Sequence, residues 1–378
     1  MVLDVFGPVK RLIKLGTVCI DNNVFRLHYK ATVIIMMSFS LLVTSVQFFG
    51  QPIHCIQKDD IPNDLLETYC WIHSTFTLPH AMNKKVGVEV AHPGVDQYKP
   101  GDTKTYHSYY QWVWIVLFMQ ALVFYVPRYL WKLWEGERLK SLVLGLNKPI
   151  IAEKVKNEQI GLLVLYLKAN IRYHNWYFFY FVICEVLNFV NVIIQMYVID
   201  AFLGGAFSSY GSDVLNYTEK DQEDRVDPMI ATFPRMTKCT FYRYGSSGEV
   251  QRHDALCILP LNIVNEKIYI FLWFWLIFLA VMSGLMLLYR IIVIFIPALR
   301  FLILKSRAKF TDPNHLKLVM EVSKIGDWFL LYLLCKNIDG HHFKELIQQY
   351  SREIVEDGSG QPMVQPNEKE MEALKSAD

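Results

Sequence analysis

The sequence predicts an all-α polytopic membrane protein: four transmembrane helices, disulfide-linked loops on the extracellular side and a helical domain on the cytoplasmic side. Three observations carry that class. Four apolar runs, residues 31–49, 112–131, 176–199 and 268–289, are each close to the roughly 20 residues a helix needs to cross a bilayer. Of the 378 residues 53% are apolar and only 20% charged, above and below the usual shares of a soluble domain. Four of the seven cysteines stand as one pair in each of two loops on the same side of the runs.

In order, the chain reads as a cytoplasmic N-terminal segment (1–30), a first span (31–49), a first extracellular loop (50–111), a second span (112–131) and a cytoplasmic middle loop (132–175). A third span (176–199), a second extracellular loop (200–267), a fourth span (268–296), a helical cytoplasmic domain (297–357) and a flexible polar tail (358–378) follow. The first run begins too far in, is too long and lacks the small-residue site that a cleaved signal would need, so it stays as a span.

Charge sets the orientation. Residues 1–30 carry five Lys or Arg against two acids and residues 132–175 eight against four, whereas 50–110 carry five against seven and 201–267 seven against nine. The basic excess alternates with each crossing, which places both termini and the middle loop in the cytoplasm. Cys55, Cys70, Cys239 and Cys257 then face the oxidising outside, while Cys19 and Cys335 stay in the reducing cytosol and Cys184 lies within the third span. Cys55 and Cys257 are near span ends and Cys70 and Cys239 deeper in their loops, so bonds Cys55 to Cys257 and Cys70 to Cys239 are natural, with pairing inside each loop left open.

In the N-terminal segment Val5, Val9, Leu12 and Ile13 share a helical face and Lys10 and Lys14 point elsewhere, an amphipathic helix. The first span carries Ser38, Ser40, Thr44, Ser45 and Gln47 around its circumference, which makes it a candidate wall for an aqueous path. In the second span Pro127 removes a backbone donor, so a bend or weakened turn is expected there, a candidate gating hinge. Trp112, Trp114, Trp131, Trp134 and Trp176 sit at span boundaries as interface anchors do.

The third span holds Glu185, Asn188, Asn191 and Gln195 within an arc of about 120°. Such a stripe is costly against lipid and must face protein or water. Hydrogen bonding between helices is the simplest use for Asn188 and Gln195, and pairing with another group the simplest for Glu185.

The first loop, with five prolines, reads as turns and short extended pieces, plus one helix over residues 65–78 carrying Cys70. The second loop has an acidic stretch, residues 219–227, followed by a basic and aromatic one, 235–244, a pattern suited to protein contact and not to nucleic acid. Asn216-Tyr217-Thr218 is an N-glycosylation sequon. Helical periodicity recurs over 153–173, 315–334 and 343–354. No zinc-protease pattern, phosphate loop, dinucleotide fingerprint or nucleophile elbow occurs, so no enzyme, catalytic residue, metal or cofactor is expected.

Certain stretches resemble a known family. Tyr109-Tyr110-Gln111-Trp112-Val113 enters the second span, Pro127 and Trp131 close it, residues 21–27 read DNNVFRL and residues 233–240 read FPRMTKCT. Together with two cysteines per outer loop, where connexins carry three, these resemble the innexins, the invertebrate gap-junction subunits related to pannexins. The resemblance covers residues 5–350.

It implies a homo-oligomer, an octameric hemichannel in the plasma membrane that meets an opposing hemichannel on the adjacent cell. Hetero-oligomers with other innexins and contact with membrane lipid are also implied. It further implies passive passage of ions and small metabolites, cysteines paired across the loops, and an N-terminal helix folded into the pore. Val5, Phe6, Val9, Lys10, Leu12 and Lys14 would then line the pore entrance, with Ser38 and Ser45 beside them. The sequon at Asn216 raises the alternative of an unpaired hemichannel releasing small molecules, and a four-span adhesion protein is the remaining reading.

Overall fold

The computed structural model describes residues 18–58, 61–143, 145–219 and 227–358. Val5, Phe6, Val9, Lys10, Leu12 and Lys14 lie outside them, as does the tail from residue 359. Among the described residues four helices are long and apolar enough to cross a membrane: α1 (Asn23–Phe49), α3 (Val113–Glu135), α6 (Asn175–Phe202) and α9 (Pro260–Phe295). The chain divides into two units, one of residues 18–30, Tyr125–Phe189 and 282–358, the other of Ala31–Phe124 and Val190–Val281.

The second unit corrects the all-α expectation, because the two disulfide-bearing loops build a five-stranded antiparallel sheet. The first loop supplies β1 (His54–Ile56), helix α2 (Asn63–Ile72), β2 (Thr75–Thr77) and β3 (Thr105–His107). The second supplies the hairpin β4 (Met236–Tyr244) and β5 (Val250–Ile258), and the strand order is β1-β5-β4-β2-β3. The hairpin therefore lies in the middle, with first-loop strands on both sides. Pieces of three residues cannot hold together alone; β1 and β2 pair to the nine-residue strands β5 and β4, and β3 adds on to β2.

The helix expected over residues 65–78 is shorter, because Ser74 takes a left-handed φ of 67° and the chain turns at once into β2. Also in this unit are helices α7 (Phe207–Glu219) and α8 (Pro228–Thr232) of the second loop. Gly211 of α7 lies so close to Trp273 of α9 that a Cβ there would fall 2.1 Å from the indole.

The other unit contains the helices α4 (Arg138–Val143), α5 (Glu153–Ala169), α10 (Pro297–Arg307), α11 (Pro313–Val322), α12 (Ile325–Asn337) and α13 (Gly340–Gly358). Trp131, Phe178, Phe181, Trp328 and Phe329 are fully buried at its core with the leucines of α5 and α12. The single helix expected over 315–334 is instead two, α11 and α12. Ser323 and Lys324 are extended, and Asp327 Oδ2 accepts from Lys324 N at 3.0 Å to start α12 afresh.

Near the start of α1 the backbone widens into a π-helix over Leu27–Thr32 before resuming as an α-helix at Val33. Asn22 caps this start, its Oδ1 accepting from Phe25 N at 2.7 Å. Helix α3 is continuous through Pro127.

Candidate functional site

Two arrangements stand out, one in each unit. In the loop unit both disulfides run between the loops. Cys55 on β1 bonds Cys257 directly opposite it on β5, and Cys70 on α2 bonds Cys239 on β4. The first ties an edge strand to its neighbour and the second clamps a helix onto the sheet. All four cysteines are buried in one cluster with Leu66, Tyr110 and Leu259.

The rest of the loop unit is fastened by side chains. Buried His107 pairs through Nε2 with Thr77 Oγ1 at 2.8 Å across β2 and β3, and burial pushes its pKa down to about 4. Burial also pushes the hydroxyls of Tyr109 and Tyr110 upward. Lys104 and Arg252 both sit over the ring of Tyr98, at 4.0 and 4.9 Å. Arg235, from the basic stretch of the second loop, grips the buried Glu266 through Nη2 at 2.9 Å and Nε at 3.1 Å. Asn216 is exposed on α7, and at the hairpin tip Tyr242, Tyr244 and Val250 are exposed.

The second arrangement surrounds the start of α1. Glu185 of α6 accepts two hydrogen bonds from Arg290 of α9, at 2.7 and 3.0 Å, and a third from Asn22 Nδ2 at 2.5 Å. His28, in the π segment, meets Ser283 Oγ at 2.7 Å, and Asn188 lines the same small space beside Glu185.

Just before α1, Asp21 forms ion pairs with Arg26 at 2.7 Å and Arg128 at 3.1 Å and accepts from Tyr29 at 2.8 Å. Lys336 of α12 donates to the Asp21 carbonyl at 2.8 Å, and Asn337 exchanges hydrogen bonds with both backbone groups of Cys19. The linker that follows the N-terminal residues is thus held by α3 and α12 within one unit.

The polar stripe of α6 is therefore not one site. Glu185 and Asn188 belong to this cluster, whereas Asn191 and Gln195 lie in the loop unit and bond each other at 3.4 Å. Asn188 Oδ1, Asn191 Nδ2 and Gln195 Oε1 find no hydrogen-bond partner among the described residues. Ser38 and Ser45 both fall on the exposed side of α1 with Leu41 and Leu42, while Ser40 is buried and donates to Trp114 O at 2.8 Å. Pro127 immediately precedes Arg128, the partner of Asp21.

Sequence reasoning missed the pairing of Arg290 with Glu185, the anchoring roles of Asn22 and Asp21 within the stretch DNNVFRL, and the π segment. The first had a signal: a buried carboxylate demands a cation, and Arg290 is the cation set near the C-terminal end of the fourth apolar helix. The π segment had none.

Four helices of spanning length, two loops tied by disulfides into one sheet and a separate helical unit define a four-span membrane protein with braced loops. Comparison with known proteins sharpens that class. The innexin family profile matches residues 21–354. The chain is 57% identical to innexin inx2 of Drosophila melanogaster over 94% of its own length and 96% of the relative's. It is 54% identical to innexin inx2 of Schistocerca americana, covering 93% and 98% of the two chains. With innexin shaking-B of D. melanogaster the identity is 49%, covering 93% and 95%. The chain belongs to the innexin family. Innexins are gap-junction channel subunits, membrane proteins that assemble as oligomers, and not enzymes; so is this chain.

Proposed function

We propose that this chain forms an octameric hemichannel of the plasma membrane. It docks with an opposing hemichannel and passes ions and small metabolites between adjacent cells without making or breaking a bond. Both termini and the middle loop are cytoplasmic in this reading and the disulfide-bearing loops extracellular, supported by the alternation of basic excess along the chain and by oxidised cysteines in those two loops alone. The domain boundaries are those drawn from the sequence, and mixed assembly with other innexins is part of the reading.

The observation that carries the docking role is the interleaved sheet. A hairpin of one loop flanked by strands of the other, bonded at Cys55 to Cys257 and Cys70 to Cys239, gives each subunit a rim of fixed shape. Matching rims are what two hemichannels need to seal a path across a gap. Val5, Phe6, Val9, Lys10, Leu12 and Lys14, with Ser38 and Ser45 of α1, line the path, and pore radius and lining charge set its selectivity.

The test is electrical. Paired cells expressing only this chain should show junctional current and transfer a small anionic dye; paired cells that stay uncoupled while single cells conduct would overturn docking. The second reading, an unpaired hemichannel, is favoured by one observation, the exposed Asn216 of the sequon. A shift in gel mobility on removal of N-glycans, absent in Asn216→Gln, would support it.

A further inference from the structure

The fourth span ends at a proline. Pro297 has no N–H to give the carbonyl of Val293, and the chain breaks at Ile296 before restarting as α10. Arg300 takes over, donating from Nε to Val293 O at 2.9 Å and from Nη2 to Ile294 O at 2.6 Å. Beside this repaired helix end lies an open cleft of about 840 Å³, lined by Phe179 of α6, Ile294 of α9, Phe301 of α10, Lys317 of α11 and Lys324.

Two chemistries meet in it. Phe179, Ile294, Phe301 and Met320 make an apolar floor, and the same two helix ends also expose Trp176, Ile292 and Phe295. Three cations, Arg300 of α10, Lys317 of α11 and Lys324 at the start of α12, line the cleft against one carboxylate, Glu321. Arg300 is already committed to two carbonyls, so the charge available to a ligand is that of the exposed Lys317 and Lys324.

We propose that this cleft binds one anionic phospholipid, its phosphate and acidic headgroup held by Lys317 and Lys324 and an acyl chain lying along Phe179, Ile294 and Phe301. A soluble metabolite has no acyl chain to cover the apolar floor of a cleft lined by the ends of two helices of spanning length. A zwitterionic lipid would gain little from the surplus of positive charge. The occupied cleft joins α11 to the ends of the third and fourth spans, so the ordering of the helical domain responds to acidic lipid. That the lipid comes from the inner leaflet rests on the orientation proposed above; the binding itself does not.

The full chain, purified in detergent, is titrated with dioleoyl phosphatidylserine or dioleoyl phosphatidylcholine, and bound lipid per subunit is read by native mass spectrometry. Phosphatidylserine should be retained about ten-fold more than phosphatidylcholine. The double variant Lys317→Ala/Lys324→Ala and the cleft-filling Ala298→Trp should each lose that preference. Lys85→Ala/Lys99→Ala, the same charge loss in the other unit, should keep it. Equal retention of the two lipids by the unaltered chain, or a preference surviving in either cleft variant, overturns the proposal. Displacement of phosphatidylserine by inorganic phosphate would show a free-anion site and overturn it as well.

Discussion

Arg290 holds Glu185 through two nitrogens, Nε at 2.7 Å and Nη2 at 3.0 Å, with the two side chains only 4% and 5% exposed. The guanidinium also lies over the rings of Phe181 at 5.1 Å and Phe329 at 5.6 Å. Fork geometry satisfies both carboxylate oxygens, and Asn22 adds a further donor.

Breaking this pair from one side leaves a buried charge without a partner. Glu185→Gln or Arg290→Met should therefore lower stability by roughly 3–5 kcal/mol. The double variant Glu185→Met/Arg290→Met should recover much of the loss, because no charge remains. Thermal unfolding followed by fluorescence-detected size exclusion separates the two outcomes; a double variant no better than the singles would mean that the hydrogen bonds, and not the charges, dominate.

Serine at any of Cys55, Cys70, Cys239 or Cys257 should remove junctional current while leaving the chain at the cell surface. The loss of a native disulfide costs about 2–5 kcal/mol in small domains, enough to let one loop slip against the other. Cell-surface biotinylation alongside paired recording checks both halves, and normal coupling in all four variants would refute a role for the braced rim.

Gly326 is a packing glycine: a Cβ there would lie 2.2 Å from the backbone of His174. Gly326→Ala should cost about 1–3 kcal/mol through forced displacement of that backbone. Gly161, inside α5 with nothing within 4 Å, is its control, and Gly161→Ala should instead stabilise by up to about 1 kcal/mol through helix propensity. Melting temperatures that move in opposite directions are the expected result.

His107 should make the loop unit sensitive to acid. Its folded pKa is lowered from 6.5 to about 4, so the unfolded chain takes up the proton first. The stability contributed by this side chain is full above pH 6.5, declines as pH falls from there to 4 and changes no further below, a loss of about 2 kcal/mol between pH 7 and pH 5. His107→Asn should flatten that part of the profile in a thermal melt recorded against pH.

The spans were legible because the bilayer imposes a length and a composition that nothing else in a chain of this size reproduces four times. The sheet was not. Strands β1, β2 and β3 have three residues each and find their partners far away in sequence, as Cys55 finds Cys257 at a separation of 202, so no local alternation announces them. The stripe from Glu185 to Gln195 was visible as a stripe, but its division was not, since Glu185 is claimed by Arg290 at a separation of 105 residues. The residues named at the pore entrance, Val5 to Lys14, fall outside those the structure describes.

The π turns at Leu27–Thr32 hold more residues per turn than the α-helix that follows, a surplus wound into the head of the first span. Returning that stretch to α geometry would screw the described residues just upstream, Asp21 and Asn22 among them, by about 100° and 1.5 Å per residue shed. Asn22 would swing off Glu185, and Asp21 would part from Arg128. Those anchors therefore act as a detent: they oppose the unwinding of the overfilled turn, and whatever loosens them frees Asp21 and Asn22 to turn with the head of the helix.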